Sequence, residues 1–248
     1  MSPYRQISYS FGPPLTPMVK KLIIVTSACF LLTYIPLQIF HAEFFAYLFA
    51  LFSLQADLVI HRLYVWQLVT YLFLHGGWFH IIFNMFALWM FGSDLESKWG
   101  GKKFLRYYFL TGIGAGILDV LLNALFVSNS LPTIGCSGAI YGLLLAYGMI
   151  FPERLIYLYM IIPIKAKWFV VIMGAIEFVS SFGGPGSSVS HFAHLGGMLF
   201  GFFYLRGWSL PYRWQLQYHE WRRAHLRKKF EVFMREHEKD DKNGRWVN

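Results

Sequence analysis

Five polar side chains interrupt the apolar stretches of this 248-residue sequence: His80, Asn84, Ser137, Tyr141 and His194. Ser137 lies in Gly135-Cys136-Ser137-Gly138, where flanking glycines permit a sharp entry into a helix. The free N–H groups at such a helix start favour developing negative charge, the physical logic of a nucleophile elbow. His194 lies in Ala193-His194-Leu195-Gly196-Gly197-Met198-Leu199-Phe200-Gly201. A serine beside a histidine is a sufficient nucleophile–base pair, with no acidic third member required. Gly138 with Gly142, and Gly197 with Gly201, form two small-xxx-small faces that let helix backbones approach closely. If those faces meet, Ser137 and His194 come together at the top of the contact. Tyr141, one turn below Ser137, can orient the imidazole by stacking. His80 and Asn84, four residues apart, share a helix face, and two donors beside a nucleophile describe an oxyanion hole.

Each feature also has a plainer reading. A serine among glycines can be a packing position, and a histidine near a helix end is commonly interfacial. Asp119 and Glu177 read as helix–helix hydrogen-bonding groups, Asp119 being mid-span and too deep to share the Ser137 level. His191 reads as interfacial, His75 as packing beneath a long first loop, and Gly112 and Gly116 as packing positions. Three other functions would use the same residues. A transporter or channel would run an ion path along Asp119, Glu177 and the histidines. A non-catalytic binding protein would keep the helical framework without the chemistry, and a haem bundle would ligate through His80 and His194. The transporter needs polar groups through the full depth, whereas most here gather near one face.

The elements that must carry these residues are membrane spans. The sequence is 56% hydrophobic, 20% aromatic and only 14% charged, too few charges to cover a soluble globule. Cys29 and Cys136 are too few for a disulfide framework and lack metal-ligand spacing, and the serine–histidine chemistry above implies no metal or cofactor. No Asp, Glu, Lys or Arg occurs in Leu22–Phe40, Leu63–Ser93, Tyr107–Leu118, Val120–Pro152 or Phe178–Leu205. A bilayer core of about 30 Å needs about 20 apolar helical residues. Spans are therefore expected near 20–41, 78–93, 104–127, 136–151, 167–182 and 191–206, an all-α six-helix bundle with the fourth and sixth short. Pro13, Pro14 and Pro17 lead into the first span without a small-residue cleavage site, so it reads as a retained helix.

Charge then sets the orientation. Of the 22 Lys and Arg, all but Arg62 fall at one face, and the positive-inside rule makes that face, with both termini, cytoplasmic. Spans two, four and six then run inward from outside. His80, Asn84, Ser137 and His194 consequently share a level a short way below the external surface. The apolar loop from Ala42 to Gly77 is expected in the outer interface as amphipathic helical pieces. The chain thus divides into a cytoplasmic segment (1–19), a six-span domain (20–206) and a basic amphipathic tail (207–248). From Arg206 onward there are eleven positive and six negative charges, which suits contact with anionic membrane lipids rather than nucleic acid.

Taken together, these motifs resemble the rhomboid family of intramembrane serine proteases, in its bacterial-type six-span form. The resemblance covers roughly residues 20–206. It rests on His75-Gly-Gly-Trp-Phe-His80-Ile-Ile-Phe-Asn84, on Gly135-Cys-Ser137-Gly138 with Tyr141, and on Ala193-His194-Leu-Gly-Gly197-Met-Leu-Phe-Gly201. It implies that Ser137 is the nucleophile and His194 the general base and acid. It further implies an oxyanion site made by the Ser137 backbone N–H with His80 and Asn84, and a Tyr141 ring packed on the catalytic histidine. The implied substrates are transmembrane proteins, cut in or near a membrane-spanning helix, in a prokaryotic cytoplasmic membrane with the site open to the outside. One departure is visible: Trp66-Gln67 stands where many members have Trp-Arg, which bears on how the first loop is braced.

Overall fold

The structure, a computed structural model, describes residues 12–40, 43–126, 131–158, 161–182 and 190–207. The chain divides at Tyr204 into two units, and of the second only residues 204–207 are described. The expected basic tail therefore lies outside the described residues.

The first helix, α1 (Pro17–Phe40), starts where local chemistry favours a start. Proline has no N–H to leave unpaired, and its fixed φ suits the first helical position. The Thr16 carbonyl closes the first turn by accepting the Lys20 N–H at 2.9 Å. The remaining helix-start donors are capped from a distant element. Glu96, buried, accepts the Met18 N–H at 3.0 Å and the Val19 N–H at 2.9 Å, and takes the Thr16 hydroxyl as well. A carboxylate here satisfies orphan donors and complements the helix dipole. Glu96→Ala would leave buried N–H groups unsatisfied. Thermal unfolding in detergent is expected to show a loss on the order of 2–4 kcal/mol, and Glu96→Gln, which keeps an acceptor, a smaller one.

Three short helices follow: α2 (Glu43–Phe52), α3 (Ala56–Arg62) and α4 (Gln67–Thr70), the last continuing into a 3-10 turn at Tyr71–Phe73. The Trp66-Gln67 pair braces this loop. Gln67 is fully buried; its amide donates to the Leu51 carbonyl at 3.1 Å and its oxygen accepts the Gln55 N–H at 3.1 Å. The Trp66 indole donates to the same Leu51 carbonyl at 3.2 Å. Leu54 pairs with Thr133 through two backbone bonds of 2.9 and 2.8 Å, tying the loop to the segment that leads into Ser137.

The other long elements are α5 (Trp78–Trp99, with a π turn at Leu88–Gly92), α6 (Gly101–Phe126), α7 (Ser137–Ile150), α8 (Ala166–Ser180) and α9 (helical residues 191–207). Helices thus stand at all six expected positions. By length and apolarity, Pro17–Gln38 and Gly101–Phe126 can each cross a bilayer alone. Gln67–Phe73 with Trp78–Trp99, bent by 98°, qualify as a pair. Two connections between the expected spans are themselves structured. The connection at 94–103 is almost entirely helical: α5 continues to Trp99, and Gly100 alone, at φ +80°, turns the chain into α6. Its charged end is held by Glu96 on α1 and by Asp94 paired with Arg154. The 152–166 connection holds an antiparallel hairpin, β1 (Leu155–Leu158) with β2 (Ile162–Lys165), so the chain is not purely α-helical. Exposed Glu153 pairs with Lys165 and Lys167 at its base, and the two ammonium groups hold its carboxyl down to about 2.

The helices turn large apolar side chains outward, while several polar ones are buried among the apolar core. Phe79, Ile82, Phe83 and Phe86 on α5 are exposed, as are Trp168, Val171, Ile172 and Val179 on α8, while Asn84 and Glu177 are buried. That distribution suits a hydrocarbon solvent, in which polar groups must face the protein interior. α6 is the central element and packs most extensively on α7. Buried tyrosines fasten it: Tyr71 donates its hydroxyl to the Gly112 carbonyl at 2.7 Å, and Tyr107 donates to the Gly142 carbonyl at 2.8 Å.

Candidate active site

Ser137 is the first residue of α7, and the chain enters it through a turn that only glycine fills well. Gly135 has φ +107° and donates its N–H to the Tyr71 carbonyl at 2.9 Å. A Cβ on Gly135 would lie 2.7 Å from His80 Nε2 and 3.9 Å from Asn84 Nδ2. His80 and Asn84 on α5 therefore face the backbone two residues from Ser137. Asn84 donates one amide hydrogen to the His80 carbonyl at 3.0 Å, as an i to i+4 pair does, and keeps a second. The Gly76 N–H points to His80 Nδ1 at 3.5 Å, which leaves Nε2 to carry the proton on the side facing Gly135. His75, fully buried, backs this group: its Nε2 lies 3.7 Å from Cys136 Sγ and its ring 4.9 Å from that of His80.

Ser137 Oγ and His194 Nε2 are 2.7 Å apart. The His194 ring stacks on Tyr141, with centroids 4.3 Å apart and planes within 13°. The pair meets because α7 and α9 touch backbone to backbone just below it: a Cβ on Gly197 would lie 1.8 Å from the Gly138 carbonyl oxygen. The expected meeting of the two glycine faces therefore holds at the Gly138–Gly197 level. It does not continue one turn down. A Cβ on Gly142 would meet the Thr111 side chain at 2.6 Å, and one on Gly201 the Tyr107 hydroxyl at 2.4 Å. α6 wedges between the two helices there, so Gly142 and Gly201 are sockets for its side chains.

Two acidic residues form bonds between helices beside this pair, as expected of them. Glu177, buried near the end of α8, takes the Tyr141 hydroxyl and accepts the His191 Nδ1–H at 2.6 Å. Its Oε1 is also 3.0 Å from His194 Nδ1, but off the N–H line, so this contact is an ion-pair distance without a formed hydrogen bond. Asp119 bonds the Ser190 hydroxyl, and Ser190 Oγ accepts the Ala193 N–H at 3.3 Å at the start of α9. Asp119 thus lies about a turn nearer the end of α6 than the pair, contrary to the expectation that it is deeper, because α7 starts well inside the length of α6. Asp119 and Ala115 precede the end of α6 by seven and eleven residues, roughly 10 and 16 Å at 1.5 Å per residue. Ala115 touches the Gly138 position.

A hydroxyl hydrogen-bonded to a stacked, buried imidazole can transfer its proton as it attacks an electrophile. Glu177, His191 and His194 also offer three ligand atoms within 4.8 Å of one another, a set that could hold a transition metal. In the present arrangement the carboxylate is occupied by Tyr141 and His191.

Residues 62–210, more than half of the chain, match the family profile described as "Rhomboid domain". Curated proteins align over the same part. RHOMBOID-like protein 1 of Arabidopsis thaliana is 33% identical over 60% of this chain and 36% of its own length. Rhomboid protease GluP of Bacillus subtilis is 33% identical over 59% of this chain and 26% of its own. Rhomboid-like protease 5 of Toxoplasma gondii is 32% identical over 61% and 17%. The chain therefore spans well under half the length of these relatives. With apolar helices long enough to cross a bilayer and polar groups turned inward, it is an integral membrane protein. The profile match, the order of the three motifs and the relatives agree that the chain belongs to the rhomboid family.

Proposed function

We propose that this chain is an intramembrane serine endopeptidase that cuts transmembrane or juxtamembrane segments of membrane proteins. The observation that carries the reading is the 2.7 Å contact between Ser137 Oγ and His194 Nε2, held at depth by the Tyr141 stack. Ser137 Oγ attacks the scissile carbonyl carbon while His194 Nε2 takes its proton. The carbonyl oxygen becomes an oxyanion facing the Ser137 backbone N–H, His80 and Asn84. When the C–N bond breaks, His194 returns the proton to the leaving amine and an acyl-enzyme remains. Water then attacks the ester with His194 again as base, which releases the carboxylic product and restores Ser137. Water must reach this level, so the site opens to the external side. Substrate helices that carry Gly or Pro near the cut, and so expose a carbonyl cheaply, are preferred.

Six crossings by α1, α5, α6, α7, α8 and α9, with both termini cytoplasmic, suit this chemistry. α7 has 14 residues, about 21 Å, which is short of a 30 Å core. Its start lies well below the outer end of α6, so it has only the remaining depth to cover. The charge asymmetry supports cytoplasmic termini, and the bacterial-type resemblance supports a prokaryotic cytoplasmic membrane. Membrane lipids contact the exposed apolar faces.

Active-site labelling tests the proposal. Purified protein in detergent or liposomes is incubated with a fluorophosphonate, and the adduct is mapped by mass spectrometry. Label is expected on Ser137, and is expected to vanish in His194→Ala. Label elsewhere, or labelling of His194→Ala at the wild-type rate, would overturn the nucleophile and base assignments.

A further inference from the structure

The geometry points to Glu177 as the acidic positioning residue of His194, placed behind the Ser137–His194 pair. This rests on the Ser137–His194 reading above and extends it. For Nε2 to accept the Ser137 proton, the neutral His194 ring must carry its hydrogen on Nδ1. That hydrogen lies on the side of Glu177, whose Oε1 is 3.0 Å away. No other described side chain is paired with this nitrogen, a buried donor that lacks a formed hydrogen bond.

Glu177 is itself fixed in place. The Tyr141 hydroxyl bonds the same carboxylate that approaches His194, while the Tyr141 ring stacks on the imidazole. His191 Nδ1–H holds the other oxygen at 2.6 Å. One tyrosine therefore locks both the acid and the base, and α7, α8 and α9 each contribute to one closed set. A buried carboxylate at this depth carries a large desolvation cost, which a permanent cation would offset. An imidazolium facing it forms when Ser137 attacks and Nε2 takes the proton, which leaves N–H at both nitrogens of His194. Nδ1–H then points at Glu177, which remains ionised and holds the charge. A small rotation of the ring brings the off-line contact into line, as resting active-site bonds commonly tighten during reaction.

The test compares wild type, Glu177→Gln, Glu177→Asp, Tyr141→Phe and Ser137→Ala on one single-span reporter. Glu177→Gln keeps shape and hydrogen bonding but not charge. Its kcat is expected to fall about 10²-fold with KM unchanged, less than the ~10⁴-fold loss of a fully aligned triad acid. The fluorophosphonate labelling rate should fall in parallel. Glu177→Asp should recover part of both, because the charge returns with a shorter reach. Tyr141→Phe should retain more activity than Glu177→Gln. Wild-type kcat and labelling in Glu177→Gln, with Ser137→Ala inactive, would overturn the Glu177 role alone. Cleavage by Ser137→Ala would overturn the parent reading instead. If Glu177→Gln does not fold, the wild-type phosphonate adduct decides. Proton NMR with ¹⁵N-histidine is expected to show a strongly downfield Nδ1–H assigned to His194, and its absence overturns the proposal.

Discussion

Ser137→Ala is expected to bring cleavage of a single-span reporter to background, a loss on the order of 10⁴-fold or more in kcat. The size follows from how much of the reaction passes through one atom. Ser137 Oγ forms the covalent bond, and it is the partner whose proton His194 takes at 2.7 Å. Without it, His80 and Asn84 can still face a carbonyl, but nothing attacks. Removing Oγ should leave the fold untouched. Ser137 is only half-buried, its neighbours Gly135 and Gly138 set the backbone, and the helix start is shaped by Gly135 at φ +107°. Thermal unfolding of Ser137→Ala is therefore expected to match wild type, and reporter binding to survive. Equal cleavage by both proteins would sink the nucleophile assignment.

That prediction was available from sequence because Ser137 and His194 sit in short, contiguous motifs whose glycines announce close packing. The six helix positions were legible for a similar reason: charge-free runs have a length set by the bilayer. Other features were not local. Glu96 reads as one charge among several at a helix end, yet its partners are Thr16, Met18 and Val19, more than seventy residues earlier. Glu177 shows in sequence as a lone acid in an apolar run, and helix–helix bonding was a fair reading of it. Its contacts with Tyr141, His191 and His194 come from two other helices, and no periodicity within α8 reveals them. Where the pair sits along α6 is not a local feature either. α7 begins beside Ala115, more than two turns below the end of α6. The hairpin at 155–165 was hidden by its brevity, since four-residue apolar runs fit strand and loop equally well.

Gly197→Ala should be nearly as damaging as loss of the nucleophile, by a different route. The added Cβ would lie 1.8 Å from the Gly138 carbonyl oxygen and 2.7 Å from its carbon. Both are backbone atoms, so no rotamer change relieves the clash, and α9 must retreat from α7 by more than an ångström. Gly197 is one turn from His194, and Gly138 is next to Ser137, so the retreat acts directly on the 2.7 Å contact. A misplacement of about 1 Å at a reacting pair costs roughly 10²-fold in rate, and overpacking adds about 1–3 kcal/mol of lost stability. Gly201→Ala is the informative contrast. Its Cβ would meet the Tyr107 hydroxyl at 2.4 Å, the end of a side chain that can turn aside by giving up its bond to the Gly142 carbonyl. Gly201 is also about two turns from His194. Gly201→Ala is therefore expected to lower the unfolding midpoint while keeping most of the fluorophosphonate labelling, whereas Gly197→Ala loses both. The reverse ranking in labelling would show that the Gly138–Gly197 crossing does not set the distance between serine and histidine.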